Sequence, residues 1–322
     1  MANRRSQSHL AWVARAFGSS RAPASVGARL MPLFIRTLGM HRAFTTADAT
    51  IAQAQEHQIR PEPYAPPKKL HRNVDVSVRH LGAWPVYTVT PRTGAITRRA
   101  LFTHGGAWVY EISPFHWNLV AELAASTGTE VTVPIYPLAP RGTASAVVPV
   151  IADLADELVA DVGADNVSLI GDSAGGNITL AAAMLSRERG LQSPARLVLI
   201  SPVLDLSFDD PRISEIEPDD PWLSAAGTRA AGNMWRGTLP VTDPLVSPGF
   251  GTLSGLGRIT LFSGTRDITN ADAHRLVEMA EAEQHPLDFH EGPGMIHVYP
   301  LLPIREGAQA RRTIARTLMG TP

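Results

Sequence analysis

The sequence predicts an α/β fold with a mostly parallel central sheet of about eight strands and helices on both of its faces. The first observation is a set of short runs rich in Val, Ile, Leu or Phe. These runs occupy 74–78, 85–89, 100–103, 131–135, 167–170, 197–200, 259–262 and 286–289. The second observation is that helical patterns lie between the later runs. Strands that alternate with helices favour a parallel sheet covered on both sides.

Three segments between the strand runs have helical periodicity: 116–126, 148–162 and 174–189. In the second segment, Ile151 and Leu158 fall on one face, and Pro149 is predicted to lie in the first turn, where its missing N–H costs least. Gly190 follows the third segment and predicts its end. Each segment therefore predicts a helix that packs an apolar face on the sheet.

Composition excludes several classes of function. The chain of 322 residues is 44% hydrophobic, which suffices for a large core, and its formal net charge of −1 provides no overall field for binding nucleic acid. Cysteine is absent, which excludes disulfides, cysteine metal sites and thiol catalysis. We therefore expect a small neutral partner, no nucleic acid, and neither a metal nor an organic cofactor.

The N-terminal 47 residues carry seven arginines and no Asp or Glu. Such a segment suits an organelle transit peptide, a membrane-surface helix or a helical flap. We favour the flap, with its arginines facing water and five apolar side chains facing the body. These are Leu30, Met31, Leu33, Phe34 and Leu38. No uncharged apolar run reaches about 18 residues, so we expect no integral membrane segment and a cytoplasmic protein. Peripheral membrane contact by the basic N-terminus and a homodimer both stay open.

Two irregular stretches suggest the domain organisation. The proline-dense stretch 60–69 predicts a linker, so we expect an N-terminal helical cap or flap over 1–70 and the main domain over 71–322. A long, partly acidic interval separates the sixth and seventh strand runs. We interpret about 205–240 as a cap insertion that packs over the carboxyl edge of the sheet, where open α/β sheets bind ligands.

Ser173 lies in the pattern Gly-Asp-Ser-Ala-Gly, between the strand run 167–170 and the helix pattern 174–189. A G-x-S-x-G pattern at a strand-to-helix turn is typical of a nucleophile elbow, which exposes the serine hydroxyl above the sheet. The backbone N–H of Ala174, at the start of the helix, points to where negative charge would develop. The context predicts a nucleophilic serine rather than an incidental residue of a glycine-rich turn.

The pattern His-Gly-Gly-Ala-Trp at 104–108 directly follows a strand run. Adjacent glycines there can turn backbone amides outward to stabilise an oxyanion, as the equivalent loop does in lipases and esterases. The pattern alone is weak evidence, but it precedes the serine in the expected order. We therefore predict an oxyanion hole formed by the amides of Gly105, Gly106 and Ala174.

A nucleophilic serine requires a histidine base oriented by a carboxylate, in the chain order Ser, acid, His. The histidines after the serine are His274, His285, His290 and His297. His297 lies in a loop just beyond the last strand run, where the base belongs. Asp267 ends the preceding strand run and is the predicted acid. Asp272, inside a helical pattern, and Glu291 are the competing carboxylates.

Together, the motifs resemble the hormone-sensitive lipase family of α/β-hydrolases, a group that includes many bacterial carboxylesterases. The resemblance covers about 99–305 and rests on HGGAW, YPLAP at 136–140, GDSAGGN, DPLVSP at 243–248, GTRD and GMIHVY. It implies the α/β-hydrolase fold, a helical cap, and the triad Ser173, Asp267 and His297. We also predict that four residues contact the substrate: His104, Ala107, Trp108 and Tyr136.

The resemblance implies hydrolysis of carboxylic esters of short to medium acyl chain through an acyl-serine intermediate. Two positions depart from the family pattern. Ala107 replaces the third glycine of H-G-G-G and narrows the space near the alcohol side, and Pro137 replaces the arginine of Y-R-L-A-P. A lactonase or an amidase with the same triad stays open. A non-catalytic ligand-binding homologue is disfavoured because the histidine is present, and an epoxide hydrolase needs a carboxylate at the elbow.

Overall fold

A computed structural model describes residues 24–37, 39–70 and 73–321. Its sheet has eight strands in the order β1-β2-β4-β3-β5-β6-β7-β8. They are β1 (Val74–Leu81), β2 (Trp84–Pro91), β3 (Arg98–Thr103), β4 (Thr129–Pro134), β5 (Val167–Asp172), β6 (Arg196–Ile200), β7 (Arg258–Arg266) and β8 (Leu287–Ile296). Strands β3 to β8 pair in parallel, and β1 and β2 are antiparallel. The predicted α/β fold and its mostly parallel sheet are confirmed.

The α-helices of the described residues cover both faces of the sheet and its carboxyl edge. They are α1 (Val26–Thr37), α2 (Ala47–Ile59), α3 (Pro114–Thr127), α4 (Ala144–Val162), α5 (Ala174–Glu188), α6 (Pro211–Ile216), α7 (Ala225–Arg236), α8 (Asn270–Glu283) and α9 (Arg305–Met319). Pro149 lies inside α4, so the prediction of its place in the first turn was wrong. The carbonyl that loses its partner belongs to Ser145, which is exposed, so water can satisfy it.

Alternate side chains of each central strand enter two separate cores. Leu101, Leu169 and Leu197 point into the core that contains α4, α5 and α8. Ile170 and Val198 point into the other core, which contains α3 and α9. Because successive residues of a strand face opposite sides, an unbroken apolar run is what a sheet covered on both faces requires.

The N-terminal helices and the predicted insertion pack together. Helix α2 packs against α7, and the Ser224 hydroxyl before α7 donates to the carbonyl of Phe44, in a short 3₁₀ helix between α1 and α2. Gly227 in the first turn of α7 lies so close to Phe44 that a Cβ there would collide with its backbone. The division of the chain at residue 70 stays a prediction.

Helix α1 differs from the expected flap. Ala28 and Ile35 are its buried residues and Met31 is half-buried, whereas Leu30, Leu33 and Phe34 are exposed. The prediction that these three face the body was wrong, because α1 is apolar on two opposite sides and the smaller side packs on the protein. Leu38 and residues 1–23, with their arginines, lie outside the described residues.

Candidate active site

Ser173 occupies a strained turn between β5 and α5. Its φ is 52° and its ψ −120°, a conformation that a non-glycine residue rarely adopts. A Cβ on Gly175 would collide with the carbonyl of Thr103, so glycine is required beside the serine. The Ser173 N–H donates to the carbonyl of Ile200, at the end of β6, over 2.8 Å. The turn therefore holds the hydroxyl above the carboxyl ends of the parallel strands.

Ser173, His297 and Asp267 form a continuous hydrogen-bonded line. Nε2 of His297 lies 2.9 Å from Oγ of Ser173, and Nδ1 lies 3.0 Å from each carboxylate oxygen of Asp267. All three residues are buried. With the carboxylate accepting the Nδ1–H, the free lone pair of Nε2 can accept the serine proton.

The surroundings favour the imidazolium that a general base must become. Burial disfavours the charged ring, but the charge of Asp267 and its hydrogen bond outweigh burial, so the pKa of His297 is raised. The N–H and the hydroxyl of Thr269 donate to Oδ1 of Asp267 over 2.9 and 2.8 Å. These contacts fix the carboxylate toward Nδ1 of the histidine.

One of the three amides predicted to form the oxyanion hole already donates a hydrogen bond within the protein. The N–H of Gly105 donates to Oδ1 of Asp172 over 3.0 Å and is therefore engaged. The amides of Gly106, Ala107 and Ala174 donate to no protein acceptor within the described residues. Gly106 has a φ of 116° and Ala107 a φ of 49°, so this loop turns sharply. We accordingly assign Ala107 to the proposed oxyanion hole in place of Gly105.

Asp172 is a positioning residue that the sequence reasoning missed. Its Oδ1 accepts the Gly105 amide, and its Oδ2 accepts the Nε2–H of His116 over 3.1 Å. Nδ1 of His116 accepts the N–H of Ser113 over 2.9 Å, which fixes the ring's tautomer. The carboxylate thus joins the oxyanion loop, the serine turn and α3. The sequence signal that could have identified Asp172 is its position directly before the proposed nucleophile, Ser173.

Asp220 was also missed, because it lies in the insertion far from the motifs. Its Oδ1 accepts the N–H groups of Trp222 and Leu223 over 2.8 and 3.0 Å, and its Oδ2 accepts the N–H of Ile268 over 2.9 Å. Burial and the nearby charge of Asp267 raise the pKa of Asp220 to about 6. The ring of Trp222 stands perpendicular to that of His297, with centroids 5.8 Å apart.

A cavity of about 630 Å³ opens onto Ser173 and His297. Its walls include Phe44 from the N-terminal region and Trp222 and Leu223 from the insertion. The cavity is therefore bounded by residues at the sheet edge and by residues of the N-terminal region and of the predicted insertion.

The predicted substrate contacts divide into two groups. Ala107 lines the cavity, whereas His104, Trp108 and Tyr136 are buried behind its wall. The rings of His104 and Tyr136 stack at 4.4 Å, and the tyrosine hydroxyl donates to the carbonyl of His104 over 2.8 Å. Trp108 stacks on Trp235 of α7. These three buried residues pack behind the oxyanion loop and do not line the cavity, so we do not propose them as substrate contacts.

A family model described as the alpha/beta hydrolase fold matches residues 100–301. The chain belongs to this family. The match spans the oxyanion loop, the serine turn, Asp267 and His297. It confirms the predicted membership of the α/β-hydrolases.

Known proteins are similar to this α/β-hydrolase in sequence or in fold. The chain is 40% identical over 200 residues to a triacylglycerol lipase of Mycobacterium tuberculosis, covering 62% of this chain but only 41% of that relative. A crystal structure of a Staphylococcus aureus protein provisionally described as an esterase is 29% identical, with a TM-score of 0.81 over 87% of this chain and 95% of that one. A crystal structure of an esterase from the bacterial hormone-sensitive lipase family is 24% identical, with a TM-score of 0.75 over 90% and 98% of the two chains.

The competing acids and histidines of this α/β-hydrolase have other partners. Oδ2 of Asp272 accepts the N–H of Leu204 over 2.7 Å, and Glu291 bonds to His274 over 2.8 Å. His285 bonds to the carbonyl of Gly257, and His290 stacks on Phe262. None of them bonds to Ser173 in the part of the chain that the structure describes. Among the described residues, no group of three or more His, Asp or Glu side chains is arranged to hold a metal ion.

Two polar side chains of the cavity lining each have a buried oxygen without a hydrogen-bond partner among the described residues. They belong to Glu111 and Tyr110, and the oxygens are the Glu111 Oε2 and the Tyr110 hydroxyl. Burial, and then the charge of Glu62, raise the pKa of Glu111 to about 7. The carboxyl of Glu111 therefore titrates near neutral pH at the edge of an otherwise largely apolar cavity.

Proposed function

We propose that this protein is a carboxylesterase that hydrolyses carboxylic esters through an acyl-serine intermediate. The observation that carries the proposal is the hydrogen-bonded series from Ser173 through His297 to Asp267, at a cavity lined by Gly106 and Ala107. The amides of these two residues and of Ala174 have no acceptor among the described residues. A nucleophile, an oriented base and preorganised donors at one point are the parts that acyl transfer requires.

The geometry supports a two-step reaction. Nε2 of His297 takes the proton of Ser173 as Oγ attacks the ester carbonyl, and the amides of Gly106, Ala107 and Ala174 donate to the oxyanion. The imidazolium then gives its proton to the departing alkoxide, which leaves the acyl group on Oγ. Water, deprotonated by the same imidazole, attacks the acyl-serine, and the serine recovers its proton as the carboxylic acid leaves.

We propose esters of short to medium acyl chain as substrates. The cavity volume of about 630 Å³ lies within the range of small-molecule sites, and the aromatic rings of Phe44 and Trp222 bound it on the cap side. The chain spans less than half the length of the triacylglycerol lipase it matches, so that relative's substrate is not carried over. The methyl of Ala107, which lines the same cavity as Ser173, disfavours esters of bulky tertiary alcohols.

The decisive experiment compares Ser173→Ala with a control, Ser207→Ala, whose serine lies in the insertion away from the triad. Against p-nitrophenyl esters from acetate to decanoate, we expect Ser173→Ala to lose about 10⁶-fold in kcat and Ser207→Ala to match wild type. A serine-directed phosphonate should add a single label, at Ser173. Comparable turnover by Ser173→Ala contradicts the proposal. If a matched lactone or amide is cleaved faster than the ester, the protein is a lactonase or an amidase rather than an esterase.

A further inference from the structure

Helix α1 presents an apolar face that nothing in the described chain covers. Val26, Leu30, Leu33 and Phe34 are 69%, 57%, 62% and 49% exposed. Their spacing of four, three and one residues places them on one side of the helix. The opposite side, with Ala28 and Ile35, is buried on the protein. Large apolar side chains clustered in this way mark an interaction site, whereas single exposed ones are ordinary.

The charge around this face is positive. Arg29 and Arg36 of α1 are exposed, lie seven residues apart and therefore flank the apolar face on the same side. No Asp or Glu occurs before residue 48. The carboxylate of Glu306, which touches the start of α1, accepts the N–H and the hydroxyl of Ser25 over 2.7 Å each. A helix with an apolar face and an arginine flank is complementary to an anionic lipid surface.

The segment of chain that follows the helix contributes to the cavity lining. Gly39, Arg42 and Phe44, which follow α1 directly, line the cavity that holds Ser173. A lipid surface against α1 would therefore contact a segment that lies close in the chain to residues that line the cavity. No helix among the described residues has the length and apolarity to cross a bilayer, so this contact would be peripheral.

We propose that the exposed face of α1 docks the protein on an anionic lipid surface. Val26, Leu30, Leu33 and Phe34 enter the region between headgroups and acyl chains, and Arg29 and Arg36 contact the anionic headgroups. Docking holds a segment close in the chain to the cavity lining at the surface from which an apolar ester would be drawn. It adds a lipid partner to the proposed esterase and does not depend on hydrolysis.

Flotation of the full chain with vesicles tests the proposal. The probes are phosphatidylcholine vesicles with and without phosphatidylglycerol. We expect wild type to float with the anionic vesicles, less so at high salt, and far less with phosphatidylcholine alone. The triple variant Leu30→Ser, Leu33→Ser, Phe34→Ser should bind at least about tenfold more weakly. It should keep the wild-type rate on soluble p-nitrophenyl butyrate, because these side chains are exposed. Leu191→Ser, an exposed leucine elsewhere, is the matched control and should float like wild type.

Ser173→Ala separates this proposal from the proposed function, because it should lose hydrolysis and still float. Wild type that stays off phosphatidylglycerol vesicles, or a triple variant that floats as wild type does, overturns the docking proposal. Light scattering provides a further arm. If wild type is a dimer that does not float and the triple variant is a monomer, the exposed face of α1 binds a second copy of the chain. That result also overturns the docking proposal.

Discussion

The carboxylate of Asp220 accepts the backbone N–H of Ile268 over 2.9 Å, and Ile268 directly follows Asp267. This bond ties the insertion to the turn that carries the proposed catalytic acid. The other oxygen of Asp220 holds the backbone of Trp222, whose ring stands against His297. Asp220, which lies outside every recognised motif, therefore holds both the turn after Asp267 and the backbone of the tryptophan that contacts His297.

Asp220→Asn should move the acidic limb of the pH profile of kcat/KM to lower pH. The charges of Asp267, Asp220 and Asp172 all favour the imidazolium and help raise the pKa of His297. Removing one charge lowers that pKa, so the histidine becomes an available base at lower pH. Asp267 and His297 are the titratable groups that face Asp220. Asp219→Asn, an exposed neighbour, is the control, and an unmoved limb in Asp220→Asn refutes this role.

Asp172→Asn should lower kcat by about 10- to 100-fold while KM changes little, because the oxyanion loop loses part of its anchor. The Gly105 N–H and the His116 Nε2–H donate to different oxygens of Asp172, and in asparagine an NH2 group replaces one of these acceptors, so one of the two bonds is lost. The measurement is steady-state kinetics on p-nitrophenyl butyrate, with Asp153→Asn at an exposed ion pair as control. A wild-type kcat in Asp172→Asn would show that the loop is held without this carboxylate.

Glu111→Gln should stabilise the protein at pH 8 and have little effect at pH 5. The ordinary pKa of 4.5 rises to about 7 in the folded state, so wild type loses stability as pH rises between those values. Glutamine carries no charge and avoids that loss. Thermal unfolding at the two pH values measures the difference, and Glu215→Gln on the exposed insertion is the control. Equal Tm changes at pH 5 and pH 8 contradict the prediction.

The sequence by itself determined the fold class and the order along the chain of the proposed catalytic residues. Ser173, Asp267 and His297 could be chosen because each follows a strand run, and the carboxyl ends of parallel strands meet at one edge of the sheet. Local glycine patterns marked the serine turn and the oxyanion loop, because such turns require residues without a Cβ.

Only the tertiary structure decided which amides are free and which apolar faces are covered. The bond from Gly105 to Asp172 joins positions 67 residues apart, and the bond from Ile268 to Asp220 joins positions 48 apart, so no local pattern reveals them. Helix α1 is apolar on two sides, and periodicity cannot tell which side packs. That choice depends on the shape of the body beside it, where Ala28 and Ile35 fit and Leu30, Leu33 and Phe34 are left in solvent.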